Sequence, residues 1–218
     1  MTSPTIIFCL PGRQFSGDFL VCWTKLIQHC LVKGYVLYLS QRYTSNVYFV
    51  RSMCLGADVR LGEDQKPFNG KLFYTHILWI DSDICFTVEN FEKLLSNDLD
   101  ICGGLYLMEG GKQFAAVKIW DENVFEKNGS FDFLTPLDVD NQTHPIEVSY
   151  TGFGFLLIKK GVFEKIKYPW FSPEFSKIGN CVDFASEDVS FCIKAKNAGF
   201  KIHIDPQIRV LHEKKIKL

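Results

Sequence analysis

Residues 75–83, Thr-His-Ile-Leu-Trp-Ile-Asp-Ser-Asp, constrain this chain more than any other stretch. Ile77, Leu78, Trp79 and Ile80 are consecutive apolar residues, the pattern of a strand buried on both faces of a sheet. The run stops at two carboxylates, Asp81 and Asp83, with only Ser82 between them. In open α/β sheets, ligands bind beyond the carboxyl ends of the strands. Two acids there are costly to desolvate unless a cation meets them. A divalent ion carrying a phosphorylated ligand is the economical candidate, since oxygen donors suit magnesium or manganese. An isolated Asp-x-Asp is more often a helix cap followed by solvated loop. Its placement after a core strand favours the functional alternative here.

The flanking sequence predicts what surrounds that strand. Residues 5–10 form a first apolar run leading into the turn Pro11-Gly12-Arg13-Gln14. Phe19, Trp23, Leu26, Ile27 and Cys30 then recur at helical spacing, and Gly34 stops that helix. Residues 35–39 read as a second strand ending at Ser40-Gln41-Arg42. A second helix follows, capped by Ser45 and carrying Val47, Val50 and Cys54 inward. Strand, helix, strand, helix is the order of an α/β protein with a mostly parallel central sheet flanked by helices. Thr87 caps a third helix. Residues 100–106 are a strand interrupted by Gly103-Gly104, which permits close approach of a ligand or a second backbone.

The second half is less regular. Residues 114–120 read as a strand, Asn128-Gly129 as a hairpin turn, and residues 132–145 as polar and irregular. Thr151-Gly152-Phe153-Gly154 precedes the apolar run 155–158, and Val162, Phe163 and Ile166 mark a short helix. Residues 168–185 read as one long aromatic loop, of the kind that is functional or mobile in a compact domain. Ser186-Glu187-Asp188 opens the last clear helix, and His212 lies near the chain's end.

Composition narrows the class. With 218 residues the chain suits one domain with a sizeable core. Its formal charge, 24 minus 25 or −1, gives no footprint for nucleic acid or an anionic membrane. No transmembrane segment and no signal peptide are evident, so a cytoplasmic location is expected. The eight cysteines include no Cys-x-x-Cys, and Cys9, Cys85, Cys102 and Cys192 sit in or beside apolar runs. Reduced thiols fit better than disulfides or zinc. The basic end, Lys214-Lys215-Ile216-Lys217, reads as a linker or a solvated tail.

Three constellations carry chemistry. Asp81, Asp83 and His212 could hold a hard cation if the tail folds back over the strand ends; a solvated tail histidine is the bland alternative. Glu187 and Asp188 complement the dipole of the helix they begin, and either could take a proton from an acceptor hydroxyl. Arg13, Arg42 and Arg51 lie near strand ends or early helix, where guanidinium groups meet diphosphate or a base. Surface solvation is the default for each arginine singly. No Gly-x-Gly-x-x-Gly, P-loop or nucleophile elbow occurs.

Taken in order, Pro11-Gly12-Arg13, Asp81-Ser82-Asp83, Thr151-Gly152-Phe153-Gly154, Ser186-Glu187-Asp188 and His212 resemble the GT-A fold glycosyltransferases of the family-2 type. The resemblance implies a Rossmann-like domain with a smaller mixed second sheet. Residues 1–106 would be its nucleotide-binding half and 107–218 its acceptor-binding half. Asp81 would lie near ribose and metal, Asp83 would be the main metal ligand, and His212 would contact metal or diphosphate. Pro11, Gly12, Arg13, Arg42, Arg51 and Ser82 would serve the nucleotide. Gly103, Gly104, Gly152, Phe153 and Gly154 would border the sugar. Asp188 would be the base, with Glu187 beside the acceptor.

The implied activity is Mn2+- or Mg2+-dependent transfer of a hexose, or a deoxyhexose such as rhamnose, from a UDP-sugar to a glycan or glycoprotein acceptor. One base and no evident nucleophile favour inversion, and the implied setting is viral glycoprotein synthesis. One departure stands out. The acidic cluster that often contacts uracil after the second strand is here Ser40-Gln41-Arg42, so uridine is a default. Two other classes compete. A two-metal nucleotidyltransferase would need a third acid and a basic phosphate-gripping loop. A non-catalytic carbohydrate-binding module would dock glycans on Tyr168, Trp170, Phe171 and Phe175.

Overall fold

Seven buried residues, Thr5–Pro11, form β1 in the computed structural model, which describes residues 3–213. Next comes α1 (Gly17–Val32), capped by Ser16, whose hydroxyl accepts from the Phe19 amide. β2 (Val36–Arg42) leads to α2 (Val47–Cys54). Asn46, and not Ser45, caps α2 by accepting from the Tyr48 amide. Both residue types suit the role, and the structure places the helix start one residue later. β3 (His76–Ile80), β4 (Ile84–Cys85), α3 (Val88–Ser96) and β5 (Ile101–Leu105) complete the first half. A reciprocal capping box between Thr87 and Asn90 opens α3.

The second half runs β6 (Ala116–Val117), α4 (Glu122–Asn128), α5 (Pro136–Val139), β7 (Ile146–Val148), β8 (Tyr150–Thr151) and β9 (Phe155–Lys159). Then follow α6 (Val162–Lys165), β10 (Glu174–Ile178), β11 (Cys181–Ala185), α7 (Glu187–Asn197), β12 (Ile202–Arg209) and β13 (Leu211–His212).

The central sheet has seven strands in the order β2-β1-β3-β9-β5-β12-β7. β1 pairs in parallel with β2 and β3, and β5 with β12. β9 lies antiparallel between β3 and β5, and β7 is antiparallel at the far edge. Five of the seven strands therefore share one direction. The smaller second sheet is realised as three separate antiparallel ribbons, β10-β11, β13-β4 and β6-β8.

Both faces of the sheet are covered, which explains the unbroken apolar runs. Along β1 and β3, Ile7, Cys9, Ile77 and Trp79 enter one core, while Ile6, Phe8, Leu78 and Ile80 enter the other. Trp79 is fully buried, with Phe153 and Phe171 edge-on at ring-centroid distances of 5.5 and 5.4 Å. Burying each such side chain contributes about 1.5–3 kcal/mol. All eight cysteines carry free thiols. No described helix is long and apolar enough to cross a membrane.

Three sequence expectations are corrected. Residues 168–185 are not one loop, because β10 and β11 form a hairpin turning at Gly179, whose φ is +56°. Much of the hairpin is exposed, so no core-facing alternation marked it. The strand expected over 114–120 shrinks to Ala116–Val117. Asn128-Gly129 is no hairpin turn: it ends α4, with Gly129 left-handed at φ +70°. Both structures require the same backbone conformation, so the dipeptide alone cannot separate them. The basic stretch 214–217 lies outside the described residues.

Candidate functional site

β3 ends at Ile80, and the backbone turns at once. The Asp81 amide donates to the Gly154 carbonyl, and the Ile84 amide donates back to the Asp81 carbonyl. The turn presents Asp81, Ser82 and Asp83 where two clefts meet. The larger, about 1260 Å³, is lined by Arg13, Phe15, Ser16, Tyr43, Asp83 and Glu213 among others. The smaller, about 280 Å³, is lined by Pro11, Gly12, Arg51, Asp81, Ser82 and Asp83 among others. Ser82 and Asp83 line both.

His212 reaches this turn because β13 pairs with β4, placing His212 opposite Ile84. Its Nδ1 lies 2.9 Å from the Leu107 carbonyl oxygen and its Nε2 3.0 Å from Asp83 Oδ2. A carbonyl can only accept, so Nδ1 carries a proton and Nε2 faces the carboxylate. Two lone pairs do not share that space without a cation, either a second proton or a metal ion. A backbone carbonyl orienting the remote ring nitrogen is the usual support of a metal-bound imidazole. A separation of 3.0 Å also matches adjacent positions of an octahedral ion with bonds of about 2.1 Å. Among the described residues no group of three or more His, Cys, Asp or Glu could hold a metal ion. The protein thus offers one carboxylate and one imidazole. Such a set fits a hard cation that takes its other ligands from phosphate and water.

Asp81 has a different partner. Arg51, on α2 and only 4% exposed, donates to its two oxygens at 3.0 and 3.1 Å. Arg51 Nε donates to Glu187 at 3.1 Å, and the guanidinium lies 5.0 Å from the Phe153 ring centroid. Burial opposes the Arg51 charge, but Asp81 and Glu187 together raise its pKa. Burial, and next the charge of Asp188, raises that of Glu187 against the pull of Arg51.

Asp188 sits in the first turn of α7. Its Oδ1 accepts from the Ser186 hydroxyl and the Val189 amide, and its Oδ2 accepts from Tyr150 at 2.7 Å. Burial, then the nearby Asp188, pushes the Tyr150 phenol well up, so it stays a donor. Tyr106 lies near both acidic groups. Its hydroxyl accepts from the Gly154 amide at 3.2 Å, and its ring meets His212 edge-on at 5.4 Å. Burial, then Asp81, raises the Tyr106 phenol.

The structure thus brings Arg51, Asp81, Ser82, Asp83, Phe153, Glu187, Asp188 and His212 into one region. Arg13 lies on the rim of the larger cleft, its guanidinium 5.6 Å from the Tyr43 ring. Arg42 is exposed, donates to the Gln41 carbonyl and lines neither cleft. Gly103 and Gly104 make room within the sheet for Leu156 and Ile208. Gly152 and Gly154 make room for Tyr106, whose phenol occupies the space their side chains would need. Sequence reasoning missed Tyr106, Tyr150, Tyr43 and Glu213. The closely spaced pair of glycines was the one signal, pointing to a bulky group packed on the backbone there.

No protein-family model matches the sequence, and no curated protein is similar enough to count as a relative. Solved structures do share the architecture. A crystal structure of GalNAc-T7 with UDP, GalNAc and Mn2+ aligns with a TM-score of 0.55 at 13% identity. That alignment covers 99% of this chain and 45% of GalNAc-T7, so the chain spans less than half of that protein. A crystal structure of A197 from STIV aligns with a TM-score of 0.52 at 15% identity, covering 98% of this chain and 96% of that one. The likeness is one of fold, and the fold is that of the GT-A glycosyltransferases.

Proposed function

We propose that this chain is a metal-dependent glycosyltransferase that moves a sugar from a UDP-sugar to an acceptor hydroxyl with inversion. The observation that carries the reading is the Asp83–His212 pair, oriented by Leu107 and set at the meeting of two clefts. Asp188 lies near the same Tyr106, and Arg51 ties the Asp81 turn to the start of α7.

Asp83 and His212 would hold Mn2+ or Mg2+, with Asp83 the principal ligand, because Arg51 already engages both oxygens of Asp81. When bound, the ion offsets negative charge developing on the departing diphosphate. Asp81, held in place by Arg51, accepts from ribose or sugar hydroxyls in the smaller cleft. Arg13 and Tyr43 flank the nucleotide in the larger one. The acceptor oxygen forms the new bond to the anomeric carbon, and its proton passes to Asp188 Oδ2. The bond from the anomeric carbon to the diphosphate oxygen breaks, and its electron pair leaves with the diphosphate. One base and no evident nucleophile favour inversion.

In this reading residues 1–106 supply most of the donor side and residues 107–218 the acceptor side, with His212 crossing over. The donor sugar is a hexose or a deoxyhexose such as rhamnose, and the acceptor is a glycan or glycoprotein. A role in viral glycoprotein synthesis rests on the sequence resemblance alone, which extends to a chlorella-virus-encoded glycosyltransferase domain.

A thermal-shift panel of nucleotide sugars with and without Mn2+ tests the reading, because a ligand that binds only the folded state raises its stability. A metal-dependent shift with a UDP-sugar is expected. Melting curves unmoved by every nucleotide sugar in the presence of Mn2+ would overturn it.

A further inference from the structure

We infer that the acceptor is held by an apolar group, a hydrocarbon ring or short chain, in a second cavity beside Asp188. The inference rests on the transferase reading and specifies the substrate class of its acceptor side. The cavity, about 260 Å³, opens between α4, the segment after it and the β10-β11 hairpin. Trp120, Phe131, Phe133, Ile178, Phe184 and Val189 give it apolar walls. Ligand pockets commonly run from about 300 to 1,000 Å³, so this one accommodates a single ring or a short chain.

Its place in the fold ties it to the proposed base. Ser186 and Val189 line it, and both bond to Asp188 Oδ1. Phe133 meets Tyr150 edge-on at 6.2 Å, and the Tyr150 hydroxyl donates to Asp188 Oδ2. A molecule whose apolar end fills the cavity therefore brings a neighbouring hydroxyl to that carboxylate.

The chemistry of the walls selects the occupant. Five lining side chains carry a polar atom: Trp120, Ser130, Ser176, Asp183 and Ser186. Asp183 already accepts from the Phe184 amide, and Ser186 already donates to Asp188. Two serine hydroxyls, Asp183 Oδ2 and the Trp120 indole N–H remain, too few to pair every donor and acceptor of a buried sugar ring's roughly four hydroxyls, each costly to desolvate half-paired. The hairpin also presents Phe175 and Phe184, 67% and 71% exposed and paired edge-on at 6.0 Å. Apolar surface left open beside a cavity marks a binding site. An alkyl or aryl aglycone covers it, with its hydroxylated part directed toward Asp188.

The test compares phenyl β-glucoside with methyl β-glucoside, titrated against the whole chain by ligand-detected NMR. Phenyl glucoside is expected to bind roughly tenfold or more tightly, as burial of one ring implies. Phe184→Ser, at an exposed position, should abolish that preference while leaving the thermal shift with UDP and Mn2+ unchanged. Equal binding of the two glucosides would overturn the inference. So would a preference that survives both Phe184→Ser and Trp120→Ala. Absence of a Mn2+-dependent shift with every nucleotide sugar in the unaltered chain, with the phenyl preference intact, would instead overturn the transferase reading and with it the acceptor role of the cavity.

Discussion

Arg51 holds Asp81 by two parallel hydrogen bonds, 3.0 and 3.1 Å long, from a helix to the tip of the central strand. The same guanidinium reaches Glu187, 136 residues further along the chain. Removing a buried partner leaves the other charges uncompensated, at a typical cost of about 3–5 kcal/mol. Arg51→Met is expected to destabilise the fold toward the lower end of that range, since the Asp81 side chain retains 28% exposure. Arg51→Lys should recover only part of the loss, because an ammonium cannot reproduce the fork. Urea titration reads both. A Met variant within about 1 kcal/mol of the parent would show that the contact contributes little net stability.

Asp83→Ala separates the donor site from the fold. The Asp83 side chain is 47% exposed, and among the described residues its one polar side-chain contact is His212. Stability without ligand should change by no more than about 1 kcal/mol. The Mn2+-dependent thermal shift with UDP-sugars should disappear. Retention of that shift would move the metal away from Asp83.

Asp188→Asn should preserve UDP-sugar binding and lower transfer about 10²–10⁴-fold, the usual contribution of a positioned base. Tyr150→Phe removes the hydroxyl that donates to Asp188 Oδ2 at 2.7 Å. It should lower turnover less, leaving donor affinity intact. Steady-state kinetics on both variants checks this, and transfer surviving in Asp188→Asn would refute the base assignment.

Acid should weaken the fold through His76. Burial, then the charge of Lys159, lowers this imidazole from 6.5 to about 4. The unfolded chain therefore takes up the proton first, and between pH 6.5 and 4 it binds more protons than the native state. Stability is insensitive to this group above that window and declines as pH falls through it, by on the order of 2–3 kcal/mol. His76→Gln should flatten the dependence by that amount. Equal slopes in the two proteins would exclude His76 as the cause.

The parallel half of the fold was legible because strands buried on both faces are apolar without interruption, as in Ile77–Ile80. The acidic tip and the start of α7 were legible for a related reason: charge placed directly after or before core sequence is conspicuous. Arg51 was not legible in the same way. It lies on a helix at helical spacing, and what makes it a buried clamp is the arrival of Asp81 and Glu187 from distant sequence. Tyr106 and Tyr150 were hidden likewise, since nothing beside them in the chain announces a carboxylate. The β10-β11 hairpin escaped because exposed strands carry no core-facing pattern.

The two-residue pairing of β13 with β4 is what carries the His212 imidazole back to the acidic turn after β3. A nascent chain that has emerged only as far as β12 already contains every strand of the central sheet, yet it lacks the imidazole that faces Asp83. Imidazole and carboxylate can therefore meet only after translation has passed β13. Proteolytic clipping just before Leu211 would remove that imidazole while sparing every strand of the central sheet.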